Sequence, residues 1–245
     1  MNLNTVQTYS KIPVAFKSKQ NPISAFKIIT SQGALNVSEI DFEKGISHRF
    51  SKIINKFFLK NFAENSKDEY FLDYKNGNKK TRRYVLKDME GYYRDIFEDD
   101  TYKDNITLLV ARDKKNKIQG ACLSTSCCEL PGCFDTTLWV DALAVNKKYR
   151  REHVAEALIH TLIDACKKSY TDVFLTGSNF AAKFYEQIGF QELDYSKSKQ
   201  RTIIKYLEEV REDFPDHVKA YTLTLQSDKP RWYIKAANAV KQLQD

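Results

Sequence analysis

Apolar and polar positions divide the chain into segments of two different periods. Over 46–62, Ile46, Phe50, Ile53, Ile54, Phe57 and Phe58 recur at three- and four-residue spacing, which predicts an amphipathic helix. A first strand is predicted just before it, over 34–42. Asn76-Gly77 marks a turn in a polar stretch, and a second helix is predicted over 85–100 despite Gly91. From Asn105 the period shortens. "ITLLVARDKKNKIQGACLSTSCCEL" reads as two β-rich runs joined by a charged turn at Asp113–Lys117. "TTLWVDALAV" (136–145) is the most apolar strand candidate. The helix expected over 152–168 buries Val154, Ala155, Leu158, Leu162 and Ala165 and turns His153, Glu156, His160, Asp164 and Lys167 to solvent. A buried strand (172–176) follows, then a helix (179–188) stopped by Gly189. "TIIKYLEEVRE" predicts a further helix, 218–226 a last strand, and the segment after Pro230 a terminal helix.

Strands alternating with helices predict one α/β (α+β) domain over 34–228. The polar segment 1–33, broken by Pro13 and Pro22, reads as an N-terminal arm, and 229–245 as a C-terminal helix. Composition adds little to this picture: 42% hydrophobic and 29% charged residues are ordinary for a globular chain and argue against disorder. A net charge of +7 suits a phosphate-rich or acidic partner without choosing one, and nucleic acid is not specifically indicated. No segment has the apolar length of a signal peptide core or a membrane span. Five cysteines without a regular framework fit a reducing compartment, so the expectation is a cytoplasmic protein with no membrane partner.

Candidate chemistry gathers where the apolar strand 136–145 runs into "NKKYRREHVAEAL". A strand, a short basic loop and a helix N-terminus make an anion site, because the first helical N–H groups lack intrahelical partners. About thirty residues on comes "FYEQIGF", with Phe184, Tyr185, Gly189 and Phe190 in the pattern F-Y-x-x-x-G-F. Together these two motifs resemble the GNAT superfamily of acyl-CoA-dependent N-acetyltransferases. The first is similar to that family's pyrophosphate loop, Gln/Arg-x-x-Gly-x-Gly/Ala, and here reads Arg150-Arg151-Glu152-His153-Val154-Ala155. The resemblance is closest over about 106–193 and extends back to about 34. It implies a mixed, mostly antiparallel sheet flanked by helices.

The resemblance also implies acetyl-CoA as cosubstrate and an amine as acceptor. Backbone groups at Leu143, Ala144 and Val145 would hold the pantetheine and polarise the thioester carbonyl. The loop from Arg150 to Ala155 would take the pyrophosphate, and Ser178 or Asn179 the pantetheine arm. Tyr185 would protonate the leaving thiolate, or else serve as a core aromatic beside Phe184. Asp141 interrupts an apolar strand, and alternation puts it on one face with Trp139 and Leu143. It is a candidate base, with a paired aspartate at a strand bulge as the alternative. The loop departs from the family pattern at His153, which stands where the first glycine would be. The imidazole then either lies beside the phosphates or marks an eroded site. The cysteine-rich "SCCELPGC" lacks Cys-x-x-Cys spacing, and no metal site is expected. Asp88, Glu90, Asp95, Glu98, Asp99, Asp100 and Asp104, with Tyr92 and Tyr93, would draw a cationic amine or a protein lysine. The rival reading is a non-catalytic module of the same fold that binds a protein or nucleic acid.

Overall fold

The computed structural model describes residues 23–42, 45–64, 66–67, 69–98, 106–125, 137–166, 172–194 and 218–225. Eight strands among them form one sheet in the order β1-β2-β3-β4-β5-β6-β8-β7. These are β1 (Phe26–Thr30), β2 (Gly33–Glu39), β3 (Ile106–Arg112), β4 (Ile118–Thr125), β5 (Thr137–Val145), β6 (Asp172–Ser178), β7 (Gln191–Glu192) and β8 (Val218–Thr224). Every neighbouring pair is antiparallel except β5 and β6. The helices are α1 (His48–Ala63), α2 (Glu69–Asn76), α3 (Lys79–Glu98), α4 (Val154–Cys166) and α5 (Ala182–Gln187).

Helices cover both faces of the sheet. On one face Ile54, Phe58 and Leu59 of α1, with Val85, Met89 and Tyr93 of α3, pack on Leu108, Val110, Leu123 and Ala142. On the other, Val154, Leu158 and Leu162 of α4 and Tyr185 of α5 pack on Leu109, Ala111, Val140 and Val173. Alternation along β3 explains the split: Leu108 and Val110 point one way, Leu109 and Ala111 the other. Burial on both faces is why the central strands read as continuous apolar runs. Helix α4 sits very close to β4, where a Cβ on Gly120 would lie 2.9 Å from Val154 Cγ1.

Several expectations change. Residues 26–30, read as part of an arm, form the edge strand β1, because the turn at Ser31–Gln32 folds them back on β2. Helix α2 fills a stretch read only as polar; none of its side chains is fully buried, but Tyr70, Phe71 and Tyr74 pack partly buried against the α1/α3 core. Its end at Asn76 and the bend at Gly77 do match the turn signal. His160, expected in solvent, is buried on α4. Burial disfavours its charged form and pulls its pKa down to about 4. The predicted helices at 202–212 and after Pro230, and Cys127, Cys128 and Cys133, lie outside the described residues. Among the described residues, no group of His, Cys, Asp and Glu is placed to hold a metal, and no helix is long and apolar enough to cross a membrane.

Candidate active site

The parallel pair β5–β6 does not stay paired. Its register runs from Thr137 opposite Asp172 to Val140 opposite Leu175 and ends there. Both strands continue on their outer sides: Ala142–Val145 remain on β4, and Thr176–Ser178 on β8. The inner edges 141–145 and 176–178 therefore part into a wedge. Backbone N–H and C=O groups on such an edge need partners that neither strand supplies. At about 3.3 Å per residue the β5 side of the wedge is about 16 Å long.

The wedge opens at Asp141. Leu123 pairs with Ala142 and Ser124 with Val140, so Asp141 is the extra residue of a β-bulge. The bulge breaks the alternation expected from sequence. Leu143 and Val145 pack toward α4, while Ala142 and Ala144 pack toward α1 and α3. Asp141 does not share a face with Leu143: its Oδ1 accepts from Thr125 Oγ1 at 3.4 Å, and its charge is felt by Tyr93 on the α1/α3 side. The residue as a whole is half-buried, but Oδ2 is enclosed and finds no hydrogen-bond partner among the described residues. Desolvation outweighs the Thr125 bond and lifts the carboxyl pKa to about 7.

Beyond Val145 the chain turns through a short 3-10 helix, Lys147–Tyr149, into α4. Arg151 (φ 64°) and His153 (φ 57°) both take left-handed backbone there. Alternating conformations of this kind at a helix start gather backbone N–H groups into an anion-binding concavity. Arg151 and His153 are exposed. His153 Nδ1 lies 2.7 Å from Glu156 Oε2, so the imidazole leans along the helix instead of across its end. The other charged loop residues hold the scaffold. Arg150 Nε donates to the Val145 carbonyl at 3.1 Å, and its guanidinium pairs with Glu64 at the end of α1 at 2.7 Å. Glu152 accepts from the backbone and hydroxyl of Ser31 in the β1–β2 turn.

The family model described as an acetyltransferase (GNAT) domain matches residues 80–208, more than half of the 245-residue chain. The chain belongs to the GNAT acetyltransferase family. It is similar to a GNAT acetyltransferase from Staphylococcus aureus Mu50, at 17% identity and TM-score 0.48, over 78% of this chain and 99% of that one. It is also similar to PaiA N-acetyltransferase from Thermoplasma acidophilum, solved with coenzyme A, at 10% identity and TM-score 0.47, over 77% and 98%. The smu.2055 protein of Streptococcus mutans UA159 is similar at 17% identity and TM-score 0.49, over 78% and 99%. No curated protein sequence matches this chain.

In this GNAT domain Tyr185 is buried under the α4 side of the sheet, between Phe184, Phe190 and Tyr221 at ring separations of 5.3, 5.9 and 5.3 Å. Its ring presses on β6 at the wedge: a Cβ on Gly177 would lie 2.5 Å from Tyr185 Cε2. Burial, with Cys122 and Tyr221 nearby, raises its pKa and keeps the phenol protonated. Ser178 ends β6 opposite Val218, and Asn179 opens the 3-10 turn before α5. Val154 is buried and Ala155 half-buried at the start of α4. The acidic acceptor surface expected over 88–104 changes where the structure describes it. Tyr93 is a core residue stacked on Phe58 at 5.5 Å, Asp88 accepts from Tyr70, and Glu90 lies 3.9 Å from Lys52. Asp99–Asp104 and the side chains of Asp95 and Glu98 lie outside the described residues. Sequence reasoning missed Thr125, Glu64 and Ser31, whose partners are all distant in the chain.

Proposed function

We infer that the protein transfers an acetyl group from acetyl-CoA to a primary amine. The observation that carries this reading is the wedge between β5 and β6, beginning at the bulge of Asp141 and ending at the loop before α4. A pantetheine arm is amide-rich and can bond to the open backbone edge that β6 leaves along Leu143–Val145, much as an added strand would. The pyrophosphate would then reach the loop 151–155, with its left-handed turns and the free N–H groups of α4.

The reaction is direct. The amine nitrogen attacks the thioester carbonyl, forming the C–N bond, and collapse of the tetrahedral intermediate breaks the C–S bond. Asp141, with its pKa near 7, would take a proton from the acceptor's ammonium and so free the nitrogen lone pair for attack. Tyr185 would deliver a proton to the leaving thiolate. The run Glu98, Asp99, Asp100 and Asp104 favours a cationic acceptor, either a small amine or a protein lysine.

A thiol-release assay with acetyl-CoA and a panel of propylamine, spermidine and a lysine peptide tests the reading. Tyr185→Phe should lower kcat about 10²-fold with CoA affinity little changed. Absence of amine-dependent thiol release across the panel would leave the non-catalytic reading of the fold.

A further inference from the structure

The most concentrated charge among the described residues lies away from the wedge. A pocket of about 960 Å³ opens between α1, α2, α3 and the connection after β5. Its volume is that of a small-molecule site. Cations enter it from four segments: Lys56 and Lys60 from α1, Lys75 from α2, Lys79, Arg82 and Arg83 from α3, and Lys147 and Lys148 from the connection. Among the described residues its one lining carboxylate is Glu64, already engaged by Arg150 at 2.7 Å and Lys147 at 3.5 Å. Lys56, Lys60, Lys79, Arg83 and Lys148 have no carboxylate partner among the described residues.

The rim is built, not incidental. Lys75 Nζ donates to the Glu64 carbonyl at 2.9 Å, and Arg82 donates to the Lys75 carbonyl at 2.9 Å. These bonds tie the end of α1 to α2, and α2 to α3. Gly77 has no room for a Cβ against the Asp73 carbonyl and Thr81, so the α2–α3 corner is as tight as a backbone allows. Like charges held around one concavity repel, and an anion of high charge density relieves that cost. An extended peptide offers one side chain per face about every 6.6 Å, too sparse for five unpaired cations. Contiguous phosphates supply the density. Half-buried Tyr74 and Leu86 add an apolar wall for an organic moiety.

We propose that this pocket is a second ligand site, separate from the acyl-transfer wedge, that takes a small organic polyphosphate of the nucleoside triphosphate class. It is not the donor's pyrophosphate site. Arg150, outside the pocket, holds Glu64 across the boundary with the loop, and α4 packs on the opposite face of the sheet.

Titration calorimetry with tripolyphosphate, ATP and acetyl-CoA tests this, comparing the wild type with the triple variant Lys60→Gln, Lys79→Gln, Arg83→Gln. All three side chains are exposed, so the variant keeps its core. ATP and tripolyphosphate should bind the wild type and lose at least about tenfold in affinity in the variant, with binding weakened by added salt. Acetyl-CoA affinity should change less than about twofold. Equal tripolyphosphate binding to both proteins would overturn the site. A parallel loss of acetyl-CoA would assign the pocket to the donor's own phosphates and overturn its separateness. Binding of single-stranded oligouridylate without binding of ATP or tripolyphosphate would overturn the small-ligand class. If acetyl-CoA binds neither protein, the acyl-transfer reading fails while the tripolyphosphate comparison still decides this one.

Discussion

At the scale of single residues, Asp141 shows how much one inserted position changes. An aspartate in an apolar strand was legible in the sequence, but its orientation was not. Alternation gives the wrong face for Leu143, because the extra residue is visible only once β4 is laid beside β5. The partner Thr125 is 16 residues away, and no local pattern announces it. Burial lifts the Asp141 pKa from 3.8 to about 7, which fixes a direction for stability against pH. Below pH 3.8 the carboxyl is protonated in folded and unfolded chains alike, and the shift costs nothing. Between 3.8 and 7 the unfolded chain ionises while the folded one holds its proton, so stability falls as pH rises; above 7 the loss is complete. The loss is about 4 kcal/mol at most. Asp141→Asn removes the titration. Its unfolding free energy in urea should therefore gain on the wild type from pH 4 to pH 7 and level off above it. The same variant should lose the acid limb of the kcat/KM profile near pH 7. An Asp141 in contact with solvent would show neither change.

At the scale of elements, the strand-loop-helix unit was readable and its internal wiring was not. The basic loop and the amphipathic α4 follow from charge and period. Arg150 was expected at the phosphates, yet it closes on Val145 and on Glu64, a residue in a different helix. A side chain with two possible anions cannot be assigned from sequence, because the choice depends on which one the fold brings near. His153 was legible as a departure, and the structure adds its cost: φ of 57° is a glycine conformation carried by a residue with a Cβ. That strain is about 1 kcal/mol. Opposing it, the imidazole contact with Glu156 is exposed and contributes little. His153→Gly should thus leave the melting temperature equal or higher, and CoA should bind as well or better. A tenfold loss of CoA affinity in that variant would make the imidazole itself a ligand contact. Helix α2 was missed for a plainer reason: its apolar face is short, with Tyr70, Phe71 and Tyr74 packed on the α1/α3 core and Tyr70 donating to the Val85 carbonyl at 3.1 Å.

At the scale of the whole molecule, the sheet consists of two halves joined by a short seam. β1–β5 form one antiparallel run and β6, β8 and β7 another, and the seam between them carries only the register from Thr137–Asp172 to Val140–Leu175. The alternation of strands with helices was legible in the sequence, but the early end of this pairing was not, since β5 stays apolar past it. A donor lying in the wedge would bond to both halves and so act on the entire fold. Acetyl-CoA at a hundred times its Kd should add about 2.7 kcal/mol of stability. For a chain of this size that corresponds to a rise of about 5–10 °C in Tm. The location of the gain separates this from adsorption to a basic surface. Amide exchange should slow at 141–145 and 176–178, on the two facing edges. The far edge strand β1, which pairs only with β2, should be slowed no more than global stabilisation requires. Pyrophosphate alone should protect the loop 151–155 and leave both edges exchanging freely. A thermal shift with no protection along 141–145 would place the CoA outside the wedge, and the proposed chemistry at Asp141 and Tyr185 would fall with it.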